Sequence, residues 1–289
     1  MPSPFAVILA LLVFALVPTA RSGTAAPEVR SGAAFVIDDE SGTVLFAKNA
    51  LSVQPIASIT KLMTAMVVLD AKLDPDERIQ IIENDKSRVK WASSRLRVGS
   101  ILSRDDLLRI ALMASENRAA SALARTYPGG ETALLAAMNL KAKNMGLAST
   151  RFDDPTGLSS GNVSTASELA TLVRMARRYP IVSEYSTLHE HTVKTKYGAM
   201  AFANTNRLVR GNNWNIDLSK TGFIAEAGRC LVMHLSVGTR PVTLVLLDAS
   251  GRFTPFADAQ RIRRWLEPGY TSPSKAAMPR PYARSGAAG

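Results

Sequence analysis

Ser58-x-x-Lys61 places a hydroxyl and an amine three residues apart, one turn and one face if the segment is helical. A serine hydroxyl is a weak nucleophile until a base takes its proton, and an adjacent amine held neutral is such a base. The same pair read conservatively is a cap serine and a snorkelling lysine on an ordinary packed helix. Two further motifs follow in the chain, Ser115-x-Asn117 and Lys220-Thr221-Gly222. The first two patterns are short enough to recur. Ser87-Arg88-Val89-Lys90 and Ser272-Pro273-Ser274-Lys275 repeat the first, and Ser160-Gly161-Asn162 repeats the second. Context separates them: one copy lies in a polar stretch, another is broken by proline, whereas the single Lys-Thr-Gly ends a predicted strand.

The elements that must position these groups read as follows. Residues 57–70 carry Ile59, Leu62, Met63, Met66, Val67 and Leu69, too many apolar positions for a surface helix, so the pattern predicts a buried one led in by Pro55. Ala33 to Asp39 and Thr43 to Lys48 flank a Glu40-Ser41-Gly42 turn and predict a hairpin. Residues 74–104 read as charged and irregular. A helix begins at Asp105-Asp106 and runs through Met113 into Ser115-Glu116-Asn117, and another spans 131–145 and stops at Gly146. Asp154 to Gly157 is a turn; Thr165 with Glu168 is a capping box opening a helix to about Arg178. Three strands (Trp214 to Thr221, Arg229 to Val237, Val242 to Leu247) and a helix with Ala257, Ile262, Trp265 and Leu266 close the pattern.

Strands at both ends with helices between predict an α+β fold: an antiparallel sheet flanked by terminal helices, a mainly helical lobe beside it, and a site in the groove between them. The sheet part falls at about 31–56 and 205–268, the helical part at about 57–204. Phe5 to Val17 is an apolar run followed by small residues, matching a signal peptide over 1–26 although no basic residue precedes it; an uncleaved anchor is the other reading. The catalytic domain is then 27–268, with a disordered basic tail at 269–289.

The chain of 289 residues carries a net charge of +11, and a basic exported protein is drawn to an anionic cell envelope. No nucleic-acid motif occurs, and 6% aromatic residues offer little stacking surface. The single Cys230 excludes an intramolecular disulfide framework and reads as a buried small hydrophobe.

The three motifs in this order are similar to those of serine-acylating, penicillin-recognising enzymes. Pro55 to Thr64, Leu112 to Arg118, Asn204-Thr205-Asn206, Asn213 to Ile216 and Lys220 to Phe223 resemble the low-molecular-mass penicillin-binding proteins, specifically the penicillin-binding protein 7 type of D,D-endopeptidase. The resemblance covers about residues 31–267. It implies a periplasmic peptidoglycan hydrolase that cleaves D-amino-acid cross-links through an acyl-enzyme, needs no cofactor or metal, takes peptidoglycan peptides as substrates and is acylated by β-lactams. Ser58 would be the nucleophile and Lys61 the base, since no histidine has a catalytic context. Burial and a neighbouring cation would hold Lys61 below its ordinary pKa, and Lys220 is the candidate cation. By the same resemblance Ser115 relays a proton to the leaving amine, Asn117 binds the substrate peptide, and Lys220 and Thr221 hold a carboxylate. Gly222 lets the strand approach, and the backbone N–H groups of Ser58 and Phe223 form an oxyanion hole, with the Phe223 side chain itself packing.

Other candidates have plainer readings. His189-Glu190-His191 lacks a third ligand at metal spacing and reads as a solvated strand. Asp38-Asp39 end a hairpin, Glu168 belongs to its capping box, and Arg177-Arg178 form a solvated helix end. The alternative functions are a D-alanyl-D-alanine carboxypeptidase, a β-lactamase, which needs a deacylating base, and a non-catalytic penicillin-binding wall module.

Overall fold

The computed structural model describes residues 25–85, 94–211 and 213–267. The apolar N-terminal run, the Ser87 and Ser272 copies of the first motif and the basic tail lie outside these residues. Among the described residues no helix is long and apolar enough to cross a membrane.

The hairpin predicted first is present as β1 (Ala33–Asp38) and β2 (Val44–Lys48). Asp38 fixes its turn, accepting from the backbone N–H of Glu40 at 3.1 Å and of Ser41 at 2.9 Å. The short β3 (Gln54–Pro55) leads into a 3-10 turn, Ala57–Thr60, and α1 (Lys61–Asp70). Residues 74–104, read as irregular, hold a small ribbon of β4 (Arg78–Gln80) and β5 (Ile101–Ser103). The helical lobe continues with α2 (Arg104–Met113), α3 (Asn117–Arg125), α4 (Gly130–Asn144), the two-residue β6 (Val163–Ser164), α5 (Ala166–Ala176) and α6 (Pro180–Thr187). The hairpin β7 (Glu190–Thr195) and β8 (Gly198–Ala203) follows, then β9 (Asn215–Ile224), β10 (Gly228–Val237), β11 (Arg240–Ala249) and α7 (Thr254–Leu266).

The main sheet is antiparallel in the order β2-β1-β11-β10-β9, so the chain's two ends meet in its centre, Phe35 standing opposite Val245. Both faces are covered. Ala34, Val36, Leu231, Met233 and Leu244 pack with Ala259 and Ile262 of α7, whereas Val232, Val245 and Leu247 join the helical core on the other side. Burial on both faces is why β10 and β11 read as continuous apolar runs rather than alternating ones. Helix α1 runs through the middle of the helical core, buried from Lys61 to Val68. β9 forms one edge of the sheet, and it lies against the 3-10 turn.

Four local readings change. Thr165 accepts from the Glu168 backbone N–H at 3.1 Å, but the Glu168 carboxylate does not return the bond. It takes the Ser149 N–H at 2.9 Å and the Thr150 hydroxyl at 2.6 Å, tying α5 to the preceding loop. Arg177 pairs with Asp217 at 3.0 Å instead of ending in solvent alone. Helices α3 and α6 escape the pattern, for reasons taken up in the Discussion. His191 is half-buried on β7 and bonds to Asp106 of α2 at 2.8 Å.

Candidate active site

Ser58 stands in the 3-10 turn and not in the α-helix the periodicity predicts; the α-helix begins at Lys61. In a 3-10 turn residues i and i+3 eclipse, which brings the two side chains together more directly than an α-turn does. Lys61 Nζ lies 2.9 Å from Ser58 Oγ, and it also donates to Asn117 Oδ1 at 2.8 Å and to the Thr156 carbonyl at 2.6 Å. The last two partners are acceptors only. A neutral amine therefore spends its two N–H groups on Asn117 and Thr156, and its lone pair is left facing the Ser58 hydroxyl. That is the arrangement of a base poised on a nucleophile.

Burial sets the charge state. Lys61 is 1% exposed, and desolvation pushes its pKa down to about 8, against the opposing pull of the Asp154 and Glu116 carboxylates. Lys220 is buried as deeply and is held well below the ordinary lysine range, first by desolvation and then by the charge on Lys61. Burial is the leading cause for both amines, as expected for Lys61, and the repulsion between two neighbouring cations adds to it. Glu116 is itself pushed up by burial, opposed chiefly by hydrogen bonds from Ser94 and the Ala119 N–H that it caps.

The second motif is placed by strain. Ser115 has φ +58, in the left-handed region, at the corner between α2 and α3, and Ala57 beside the nucleophile has φ +48. Non-glycine residues at such angles cost of order 1–3 kcal/mol and persist where packing imposes them. The corner directs Ser115 Oγ to Lys220 Nζ at 2.8 Å and Asn117 to Lys61. Because Ser115 Oγ accepts from Lys220, its own proton is free to point into the cleft it lines.

The third motif comes from β9. Lys220 also donates to the Thr221 carbonyl at 2.9 Å, and the Thr221 hydroxyl donates to Thr205 Oγ1 at 2.6 Å. A Cβ on Gly222 would lie 2.9 Å from Ser58 N and 3.0 Å from Ala57 Cβ, so glycine is what lets the strand pass this close to the nucleophile. The Phe223 side chain, expected to pack, is instead 46% exposed, with the Arg229 guanidinium 4.3 Å over its ring.

Ser58, Ser115, Asn117, Thr221, Gly222 and Phe223 line one cleft of about 880 Å³, with the amines of Lys61 and Lys220 bonded in behind Ser58 and Ser115. All eight sequence-selected residues thus come together. The sequence reading passed over the loop that carries the Thr156 carbonyl. Asp154 organises it, accepting from the N–H of Gly157 at 2.8 Å and the Thr156 hydroxyl at 2.6 Å. Asn162, set aside as part of a chance Ser-x-Asn, is the strut beneath. Its Oδ1 accepts from the N–H groups of Asp153 and Asp154, and its Nδ2 donates to Thr60 Oγ1 and the Asp154 carbonyl. Asn162→Ala leaves those buried partners unpaired and is expected to cost roughly 3 kcal/mol. Differential scanning calorimetry checks this as a drop in Tm of roughly 5–10 °C; an unchanged Tm would remove the strut role.

Known proteins are similar to this chain over most of its length. The family model described as D-alanyl-D-alanine carboxypeptidase matches residues 20–251. A D-alanyl-D-alanine endopeptidase of Pseudomonas aeruginosa is 52% identical over 252 residues, spanning 86% of this chain and 81% of that protein. One from Escherichia coli is 47% identical, spanning 91% and 86%. Among solved structures, the Streptomyces K15 DD-transpeptidase superposes with a TM-score of 0.77 at 28% identity, covering 83% of this chain and 97% of that one. Penicillin-binding protein D2 of Listeria monocytogenes, in its cefotaxime-bound form, gives a TM-score of 0.73 at 31% identity over 82% of this chain and 97% of that one. A transpeptidase-like α+β fold, a buried amine on a serine hydroxyl and a family match over most of the sequence lead to one assignment: the chain belongs to the D-alanyl-D-alanine carboxypeptidase family of serine peptidases, S11.

Proposed function

We propose that the protein is an exported D,D-endopeptidase that opens D-amino-acid cross-links in peptidoglycan through an acyl-enzyme on Ser58. The observation that carries this reading is the buried Lys61 amine, bonded to Ser58 Oγ and to two obligate acceptors. Endopeptidase action is preferred to carboxypeptidase action because the 52% and 47% identical relatives are both D-alanyl-D-alanine endopeptidases.

In this scheme Ser58 Oγ attacks the carbonyl carbon of the scissile amide while its proton passes to Lys61 Nζ. The backbone N–H groups of Ser58 and Phe223 stabilise the oxyanion. Collapse of the tetrahedral intermediate breaks the C–N bond, with the proton delivered to the leaving amine by way of Ser115. Asn117 turns its NH2 to the substrate backbone once its oxygen is taken by Lys61, and Lys220 with Thr221 holds a carboxylate. Water then hydrolyses the ester, with Lys61 returned to the neutral state. The cleft lining includes no aspartate or glutamate among the described residues, and Glu116 and Asp154 are committed to backbone donors. Without a deacylating carboxylate, a penicilloyl ester on Ser58 should persist, which argues against a β-lactamase. Residues 1–26 serve as the export signal to the periplasm, 27–268 as the catalytic domain and 269–289 as a basic tail.

Digestion of purified sacculi, with chromatography of the released peptides, tests this. Cross-linked dimers should fall as monomers rise, and Ser58→Ala should abolish both changes while retaining the fold. Release of free D-alanine alone would make the enzyme a carboxypeptidase; no change would make it a binder.

A further inference from the structure

The cleft is lined by more than the catalytic groups, and one part of its wall has a composition that the acylation chemistry does not call for. Its lining includes Arg207, Arg210, Arg229 and Arg252, with no acidic residue beside them. None of the four pairs with a carboxylate among the described residues, although ten other arginines of the chain do. Glu226, three residues before Arg229 in the turn joining β9 to β10, is exposed and makes no bond to it. Arginines left without counter-charge in a concave site are costly through mutual repulsion and are stabilised by an anionic ligand.

Two of them are held ready. Arg229 stacks 4.3 Å over Phe223, and Arg207 lies 5.1 Å over Phe253, a ring that is 55% exposed. A stacked guanidinium keeps its edge N–H groups outward and loses less freedom when it takes a carboxylate two-pronged. Arg210 stands exposed in the same wall, three residues after Arg207. The segment bearing Arg207 and Arg210 is fixed to the catalytic lobe, because Thr205 N donates to the Met113 carbonyl at 3.0 Å and buried Asn206 to Ser219 Oγ at 2.8 Å. The arginines therefore stand in a set relation to Ser58.

From this wall we infer that Arg207, Arg210 and Arg229 form an anionic subsite for a peptide carrying free carboxylates beyond the one held at Lys220 and Thr221. The inference rests on the endopeptidase reading and deepens it. A lone D-alanine leaving group carries a single carboxylate, whereas the second peptide of a cross-link brings more, and a cleft of about 880 Å³ has room for it. The subsite acts on binding and on encounter, so its effect appears in KM and weakens with salt.

The test compares two synthetic cross-linked peptide dimers, one with its side carboxyls free and one with them converted to carboxamides. The wild-type enzyme should favour the free-carboxylate dimer by about tenfold in kcat/KM, mostly through KM, and the preference should shrink as salt rises. The Arg207→Gln/Arg210→Gln variant, with an unchanged melting temperature, should bring the ratio close to one, and the corresponding double lysine variant should retain part of it. Equal kcat/KM for both dimers in the wild type, or an undiminished ratio in the glutamine variant, overturns the subsite. If the wild type cleaves neither dimer, the endopeptidase reading fails by itself. The subsite is then decided by anisotropy titration of the labelled dimers against Ser58→Ala, where tighter binding of the free-carboxylate dimer upholds it and equal affinity overturns it.

Discussion

Lys61→Met should lower the rate of penicillin acylation by about a thousandfold or more and weaken the rise of stability with pH above neutrality. The rate loss follows from removing the only amine bonded to Ser58 Oγ among the described residues, since general-base catalysis contributes roughly 10²–10⁴-fold and an unactivated serine is a poor nucleophile. The stability effect follows from the buried charge. The folded pKa of Lys61 is about 8 and its ordinary value 10.5, so below pH 8 the folded protein carries a desolvated ammonium at a cost of about 3 kcal/mol. Between these two pH values the unfolded chain binds more protons than the folded one, and stability climbs with pH. Methionine fills similar space without a charge and removes this share of the slope; Lys220, also depressed, retains its own. Urea midpoints at pH 7 and pH 10 for both proteins check it. An equal pH response in the variant would mean that Lys61 is not the strained amine described.

Gly157→Ala should be nearly as damaging, although Gly157 takes no part in the chemistry. Its φ is +83, and a Cβ there would sit 2.1 Å from the Ala57 carbonyl oxygen and 2.7 Å from Ser58 N. Backbone cannot yield as a side-chain end does, so either the Thr156 loop or the 3-10 turn must move. The expected cost is about 3 kcal/mol, from left-handed strain and the displaced contact together. Moving the nucleophile by an ångström should cost about a hundredfold in acylation. Gly42→Ala is the control, because Gly42 has φ +70 with nothing within 4 Å of its would-be Cβ. It should lose only about 1 kcal/mol and no acylation rate. Thermal melts and labelling kinetics of the two variants distinguish collapse of the site from the general cost of alanine at positive φ.

How much of this was legible in the sequence depends on whether a feature lives in side chains or in backbone. The buried α1 and the strands β9 to β11 carry their signals in residue type and period, and the structure contains them; the three motifs carry theirs in residue type, and their side chains meet at one cleft. Helix α3 was missed because its N-cap is Glu116, an uncommon capping residue, and because it is only nine residues long and builds its buried face mainly from alanine, with Leu123 the one large apolar side chain. Helix α6 is eight residues long and opens on Pro180, too short for a period to show. The Thr156 carbonyl has no signature at all, since any residue supplies one; only the fold brings it to Lys61. Asn162 resembled a coincidence because its four bonds run to atoms distant in sequence or belonging to the backbone. The two buried amines show the same division: their proximity was foreseeable from the motifs, but the depth to which both are desolvated is a property of the packed core.

The measurement that bears most directly on the acylation cleft is mass-spectrometric mapping of a penicillin adduct, with its rate of formation followed from pH 6 to 9. The account predicts one stable penicilloyl group, on Ser58, formed faster as Lys61 loses its proton with a midpoint near 8. An adduct on another residue, rapid turnover with no adduct, or a rate indifferent to pH across that range would contradict it.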